Sequence, residues 1–469
     1  MDKVAHVKWP NQQETRRMLG IAADGVANFY DTLPERPIGP LWDEDERKRW
    51  LDSHDFDTPR QLNGVIESVV KGLGCGNLLS IHPRCFGLFN PTPALAGAIA
   101  DLISASFNPQ LAVASHAPLS VAIERKVVNA IASRIWDGVS TGHFTSGGAE
   151  ANMTALLLAA TRAVTGFAEF GSRAFAGPPT FYASTESHFA WFKIAHQLGL
   201  GRAAMRLVAT DGQGRMDPAA LQAAIAEDRS SGKTPIAIMA TAGTTNAGMV
   251  DPLHLLSRIA SAENLWLHVD AAWAGALLAL GKANTGLAGI ELADSVTIDA
   301  HKWLNAPMGA GMLLTRHPDA LAETFHVSAS YMPTGDGDDP YVRSAQWSRR
   351  NIGLRLFMIL ATHGWKGVAA TIEHQLELAQ ALRQSLAAEN WKVENDSSCG
   401  VIVFNDMGGS AAEAIVKEIQ QESVCWVSLA RFEGRSVIRA CVTSHLATGR
   451  DVEDLVQALK RARTAAAQG

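Results

Sequence analysis

The chain has 469 residues, 47% hydrophobic and 19% charged, with a formal net charge of −6. That is apolar material for two or three cores, and an acidic balance without any block of Lys and Arg excludes the footprint of a nucleic-acid or anionic-membrane partner. The charged start lacks the apolar centre of a signal peptide, the apolar runs at 271–281 and around Asp101 are too short or interrupted to span a bilayer, and five cysteines without paired spacing fit a reduced, cytoplasmic setting.

Residues 1–83 are polar and rich in Trp, Pro and charge, with helices expected around LWDEDERKRWLDS and TPRQLNGVIESVVKGLG until Gly72, Gly74 and Gly76 break the pattern. From 84 to 362 short β-rich runs alternate with amphipathic helices. Helices are expected at 119–136 and 187–198, and strands at 180–183, 235–241, 265–269, 295–298 and 311–315. Asp251 is expected to cap the helix PLHLLSRIASAEN. Continuous rather than alternating apolar strands predict a mainly parallel α/β sheet with helices on both faces. From 363 to 469 a long helix (about 368–388), the short strands WKVEN, GVIVFN, CWVSLA and SVIRACV, and a terminal helix predict a smaller α+β domain. The Gly- and Asp-rich stretch 334–340 is the expected mobile loop.

Five segments carry chemistry, and all fall at expected strand ends or helix starts. Lys302 directly follows a buried strand, where a desolvated amine can condense with an aldehyde. Asp270 ends the strand LWLHV, at the edge where open α/β sheets bind ligands, and could pair with a pyridinium nitrogen; Ala271 and Ala272 would let a flat ring approach. Gly147 and Gly148 open a helix whose N-terminus is an anion site. His188 follows a strand and could stack on a planar group. The turn 241–246, with Thr244, borders the same edge. Singly, each has an ordinary structural explanation: a snorkelling Lys, a turn Asp, a Gly turn, a solvated His. Together they supply what pyridoxal phosphate needs: a phosphate cradle, a stacking ring, a pyridinium partner and a Schiff-base Lys. The pairs His268-x-Asp270 and Asp299-x-His301 also have metal-like spacing, but the conjunction favours the organic cofactor, and no metal is expected.

The runs TSGGAEANMTALL, ESHFAWFKIAH, GTTNAG, LHVDAAWAG and SVTIDAHKWL resemble the group II pyridoxal-phosphate-dependent decarboxylases, which include the aromatic-L-amino-acid decarboxylases. The resemblance runs from about Pro37 to the C-terminus. It implies a fold-type I homodimer with shared active sites, an N-terminal helical segment (1–83) wrapping the partner, a large cofactor domain (84–362) and a small C-terminal domain (363–469). It further implies that Lys302 holds the cofactor as a Schiff base, Asp270 pairs with the ring nitrogen, and His188 and Ala272 cover the two ring faces. Gly147, Gly148 and Ala149 hold the phosphate, helped by Asp299 and His301. The family often has Ser at the Ala149 position and Asn at the Asp299 position.

Family members also carry a loop Tyr that reaches the neighbouring subunit and returns a proton to Cα after carbon dioxide leaves. Tyr341, after TGDGDDP, fits that position better than Tyr331. The segment HPRCFGLF resembles the family's substrate-facing stretch, so Phe86, Leu88 and Phe89 are expected to form an aromatic-binding wall, whereas Arg84 would suit an acidic side chain. The expectation is decarboxylation of an L-amino acid, with an aromatic one (tryptophan, phenylalanine, tyrosine or DOPA) leading. Acidic or aliphatic substrates (glutamate, aspartate, diaminobutyrate) and aldehyde synthesis on the same fold are the alternatives.

Overall fold

The computed structural model describes residues 10–281, 286–327 and 339–468. Its large sheet has seven strands: β1 (Thr141–Thr145), β2 (Pro179–Ser184), β3 (Met205–Val208), β4 (Thr234–Thr241), β5 (Trp266–Asp270), β6 (Ser295–Asp299) and β7 (Gly311–Thr315). They lie in the order β1-β7-β6-β5-β4-β2-β3. The five strands from β3 to β6 are parallel, and β7 runs antiparallel to both β6 and β1. β2, β5, β6 and β7 are buried along their whole length, as is β4 from Ile236 on. Helices cover both faces, so no strand needs a polar side.

Register brings the functional ends together. Thr241 pairs with Asp270, and Gly311 lies opposite both Thr145 and Asp299. The C-terminal ends of β1, β4, β5 and β6 therefore share one sheet edge, where the helix Gly148–Ala163 also begins.

The second sheet is antiparallel: β8 (Trp391–Val393), β9 (Val401–Asp406), β10 (Ser428–Phe432) and β11 (Arg435–Cys441), in the order β10-β11-β9-β8. The helices Ala412–Glu422 and Gly449–Ala466 complete its core through Ile415, Ile419, Leu455 and Leu459. The long helix that leads into this unit starts at Gly353, earlier than its periodicity indicates, and breaks at Gly364, whose φ of 61° suits glycine.

Three local expectations change. Gly72 and Gly74 do not end their helix, which spans Leu62–Gly76 and stops at the third glycine. A Cβ at Gly72 would lie 3.0 Å from the Trp50 ring and one at Gly74 3.2 Å from the Phe29 ring, so these glycines let neighbouring helices approach. Asp251 does not cap the helix Leu253–Glu263. Its carboxylate instead accepts the Met216 and Thr241 amides, tying down the end of β4. The helix expected from 187 starts at Ala190, leaving His188 in the turn before it. Among the described residues no single helix is long and apolar enough to cross a membrane.

Candidate active site

The shared sheet edge opens into a cavity of about 170 Å³. Lys302 enters it from the turn after β6, where its amide donates to the Asp299 carbonyl. Its Nζ is 3.1 Å from Asp299 Oδ2 and partly exposed to the cavity. Asp270, at the end of β5, is buried. Its Oδ2 accepts from Asn152 Nδ2 at 2.7 Å and its Oδ1 from the Ala272 amide at 3.1 Å.

Gly148 and Ala149 line the cavity at the start of a helix that no side chain caps, so the first amides are left for an anion. A Cβ at Gly148 would press on the Asp299 carboxylate at 2.9 Å, and one at Gly147 would sit 3.6 Å from the His301 ring. His301 stands behind this cradle. Its Nδ1 accepts the Ala310 amide, so in the neutral ring Nε2 carries the proton and faces Asp299 at 3.7 Å. Burial lowers the His301 pKa, against the opposing pull of Asp299. His188 is exposed at the cavity mouth, its Nδ1 accepting the Ala190 amide.

Pyridoxal phosphate, the group the resemblance implies, fits what is present. The uncapped helix start suits its phosphate. The inward-facing Asp270 carboxylate suits a protonated ring nitrogen, and Lys302 Nζ lies within the same small space. Asp299 Oδ1 is buried without a hydrogen-bond partner; as an acceptor it does not itself bind the phosphate anion, and its carboxylate pairs with Lys302 instead.

Thr244 takes a different part from the one expected. It is fully buried, and its hydroxyl and amide both bond Met249, so it holds the turn while Thr241, Gly243 and Thr245 line the cavity. Of the substrate-facing segment only Phe89 lines the cavity, its ring 4.5 Å from that of Trp273. Phe86 is 1% exposed and packs in the small unit's core, with its amide on Trp426 and its carbonyl on Cys441. Leu88 is partly buried next to Thr443, outside the cavity. Arg84 turns away to Asp454 (3.2 Å) and the Pro34 carbonyl, so it cannot serve an acidic substrate in this chain's cavity.

Two residues absent from the sequence-based set belong here. Asn152 binds Asp270. Arg439 is buried, bonds the carbonyls of Thr245 and Gly87, and sits 4.9 Å over Phe89. Its signal was a lone Arg in the apolar strand SVIRACV. Tyr341 lies in a short 3-10 turn (Pro340–Arg343), its amide on Ala112 and its ring 4.9 Å from Trp347. Tyr331 and residues 334–338 of the expected loop lie outside the described residues.

The family model described as the pyridoxal-dependent decarboxylase conserved domain matches residues 45–406. An aromatic-L-amino-acid decarboxylase of Bacillus atrophaeus is 28% identical over 470 residues, covering 95% of each chain. A cysteine sulfinic acid decarboxylase of Rattus norvegicus is 34% identical over 322 residues, 67% of this chain and 64% of the relative. The solved structure of Oryza sativa TDC with PLP and tryptamine matches with a TM-score of 0.90 at 22% identity, covering 98% of this chain and 99% of that one, a likeness of fold.

Proposed function

The chain belongs to the pyridoxal-dependent decarboxylase family, uses pyridoxal phosphate and acts on an amino acid, and from that membership we propose that it decarboxylates an aromatic L-amino acid to its amine, as a cytoplasmic homodimer. The single observation that carries the substrate class is the paired aromatic wall of Phe89 and Trp273 at the cavity. The full-length similarity to an aromatic-L-amino-acid decarboxylase agrees with it.

When bound, pyridoxal phosphate supplies an aldehyde that condenses with amines and a ring that draws in the electron pair released as carbon dioxide departs. The protein's part is to orient and to hold protons. Lys302 would hold the aldehyde until substrate displaces it. Asp270, kept in place by Asn152 and the Ala272 amide, would hold the proton of the ring nitrogen. His188 and Ala272 would cover the two ring faces, and the amides at Gly147–Ala149 with His301 would take the phosphate.

A homodimer is supported by the helix Leu95–Phe107, which exposes Leu95, Ile99, Leu102, Ile103 and Phe107 as one apolar stripe. The unpaired cysteines fit a reducing compartment. The division near residue 362 is supported by the separate sheets and the break at Gly364.

Arg439 favours a second reading. A buried guanidinium against Phe89 can take a substrate carboxylate, which suits an acidic amino acid as well as the α-carboxylate of any. Cofactor-loaded enzyme given tryptophan, phenylalanine, tyrosine, glutamate and aspartate, with products read by mass spectrometry, separates the two. An aromatic amine is expected. An amine from glutamate or aspartate alone overturns the aromatic assignment in favour of the Arg439 reading.

A further inference from the structure

We propose that Trp266, Ser295, His268 and Asn152 form a one-way hydrogen-bond chain that ends on Asp270 and keeps this carboxylate ionised and fixed toward the cavity. The proposal rests on the assignment of Asp270 to the cofactor's ring nitrogen made above. Strand geometry assembles the chain. Trp266, His268 and Asp270 alternate onto one face of β5, Ser295 of β6 is the register partner of His268, and the helix Gly148–Ala163 lays Asn152 over that face. Trp266 Nε1 donates to Ser295 Oγ at 2.8 Å, and Ser295 Oγ lies 2.8 Å from His268 Nδ1. His268 Nε2 lies 3.0 Å from Asn152 Oδ1, and Asn152 Nδ2 donates to Asp270 Oδ2 at 2.7 Å. All five side chains are buried.

Chemistry allows each link only one polarity. An indole only donates, so Ser295 accepts from it and has its own proton to give. A carboxylate only accepts, so Asn152 turns its amide nitrogen to Asp270 and its oxygen to His268. His268 must then carry its proton on Nε2, and Nδ1 is left to accept from Ser295. Burial pushes the His268 pKa down to about 4, which keeps the ring in this neutral form. Protonating Asp270 on Oδ2 would set an O–H against the Asn152 N–H, and protonating His268 on Nδ1 would reverse its link, with the Ser295 oxygen accepting from both rings and its own proton losing its partner. The chain is therefore complete only with an anionic Asp270, which also keeps the Ala272 amide on Oδ1. These four are positioning residues: they act on the reacting group through Asp270, and of them Asn152 also lines the cavity.

The test is a pH titration of the visible absorbance of the cofactor-loaded enzyme, with kcat and KM measured separately. His268→Phe and Asn152→Leu each remove a donor. The expected result is a titration midpoint moved by about one pH unit and a kcat lowered about tenfold, with KM little changed. His268→Gln, which restores an N–H toward Asn152, recovers most of the loss. Ser295→Ala, the mildest change, moves the midpoint in the same direction by less. Folded, cofactor-loaded His268→Phe and Ser295→Ala with wild-type midpoints and kcat would overturn the chain, whatever their stability. Asp270→Asn separates the two levels. If it leaves the absorbance unchanged, the assignment of Asp270 itself fails. If it shifts the spectrum while the other variants do not, only the chain fails.

Discussion

Gly311→Ala should weaken cofactor binding without touching the cofactor. Gly311 begins β7 opposite Thr145 and Asp299, directly beneath the turn that opens the cradle helix. A Cβ there would lie 2.5 Å from the Gly147 carbonyl carbon, 2.6 Å from Thr145 Oγ1 and 2.7 Å from Gly147 Cα, where ordinary contact begins at 3.4 Å. The Gly147 backbone must therefore move by about 0.9 Å, beyond the roughly 0.5 Å within which a site holds its geometry. Overpacking of this kind costs about 1–3 kcal/mol. If the strain falls on the cradle, the Kd for pyridoxal phosphate rises about 5- to 150-fold. The assay is absorbance titration of the apoenzyme with cofactor. Gly142→Ala is the control: its Cβ would strike the Leu313 carbonyl in the same strand pair, at the end away from the cradle. It should lower the unfolding midpoint and leave Kd alone. A wild-type Kd for Gly311→Ala, or an equal loss in Gly142→Ala, refutes the reasoning.

The two loop tyrosines separate by product. Tyr341→Phe should divert product from amine toward aldehyde; unchanged amine output would exclude Tyr341, whose ring packs 4.9 Å from that of Trp347, and leave Tyr331 as the remaining candidate. Glu124 and Arg349 form a buried ion pair at 2.6 Å, so Glu124→Gln should cost about 3–5 kcal/mol in urea unfolding, and adding Arg349→Met should recover much of it. His143 and His268 are each pushed down to about 4 by burial, with Arg349 adding to the effect at His143. Their folded values lie below the unfolded value near 6.5, so the unfolded chain takes up protons first as pH falls. Stability is then lost between about pH 6.5 and 4, by about 3 kcal/mol per histidine. A flat unfolding midpoint across that window would contradict their neutral burial.

The cofactor site was legible because its parts are local. Lys302, Asp270 and the Gly147–Gly148 turn each combine an unusual residue with a strand end or helix start, and period and spacing report those directly. The mainly parallel sheet followed from unbroken apolar strands for the same reason. The substrate-facing segment was not legible. Leu88 and Phe89 are adjacent, and so are Phe86 and Gly87, yet only Phe89 reaches the cavity. Which side chain does so depends on how the segment threads between Trp426 and Cys441 of the small unit. Thr244 and Thr245 likewise look equivalent in GTTNAG, and only the turn onto Met249 buries the first and turns the second toward the cavity. For Arg84 a pocket role and a surface or interface role were both open from the sequence, and Asp454, 370 positions away, takes it from this chain's cavity, while Arg439, on a distant strand, is carried to Phe89.

By itself, then, the sequence determined the family, the cofactor and the residues bound to the ends of their own strands, because those depend on contacts within a few positions. Only the tertiary structure decided which aromatic faces the cavity, that Arg439 stands against it, and that Asn152 and His268 support Asp270, because those depend on chain segments that meet across more than a hundred residues.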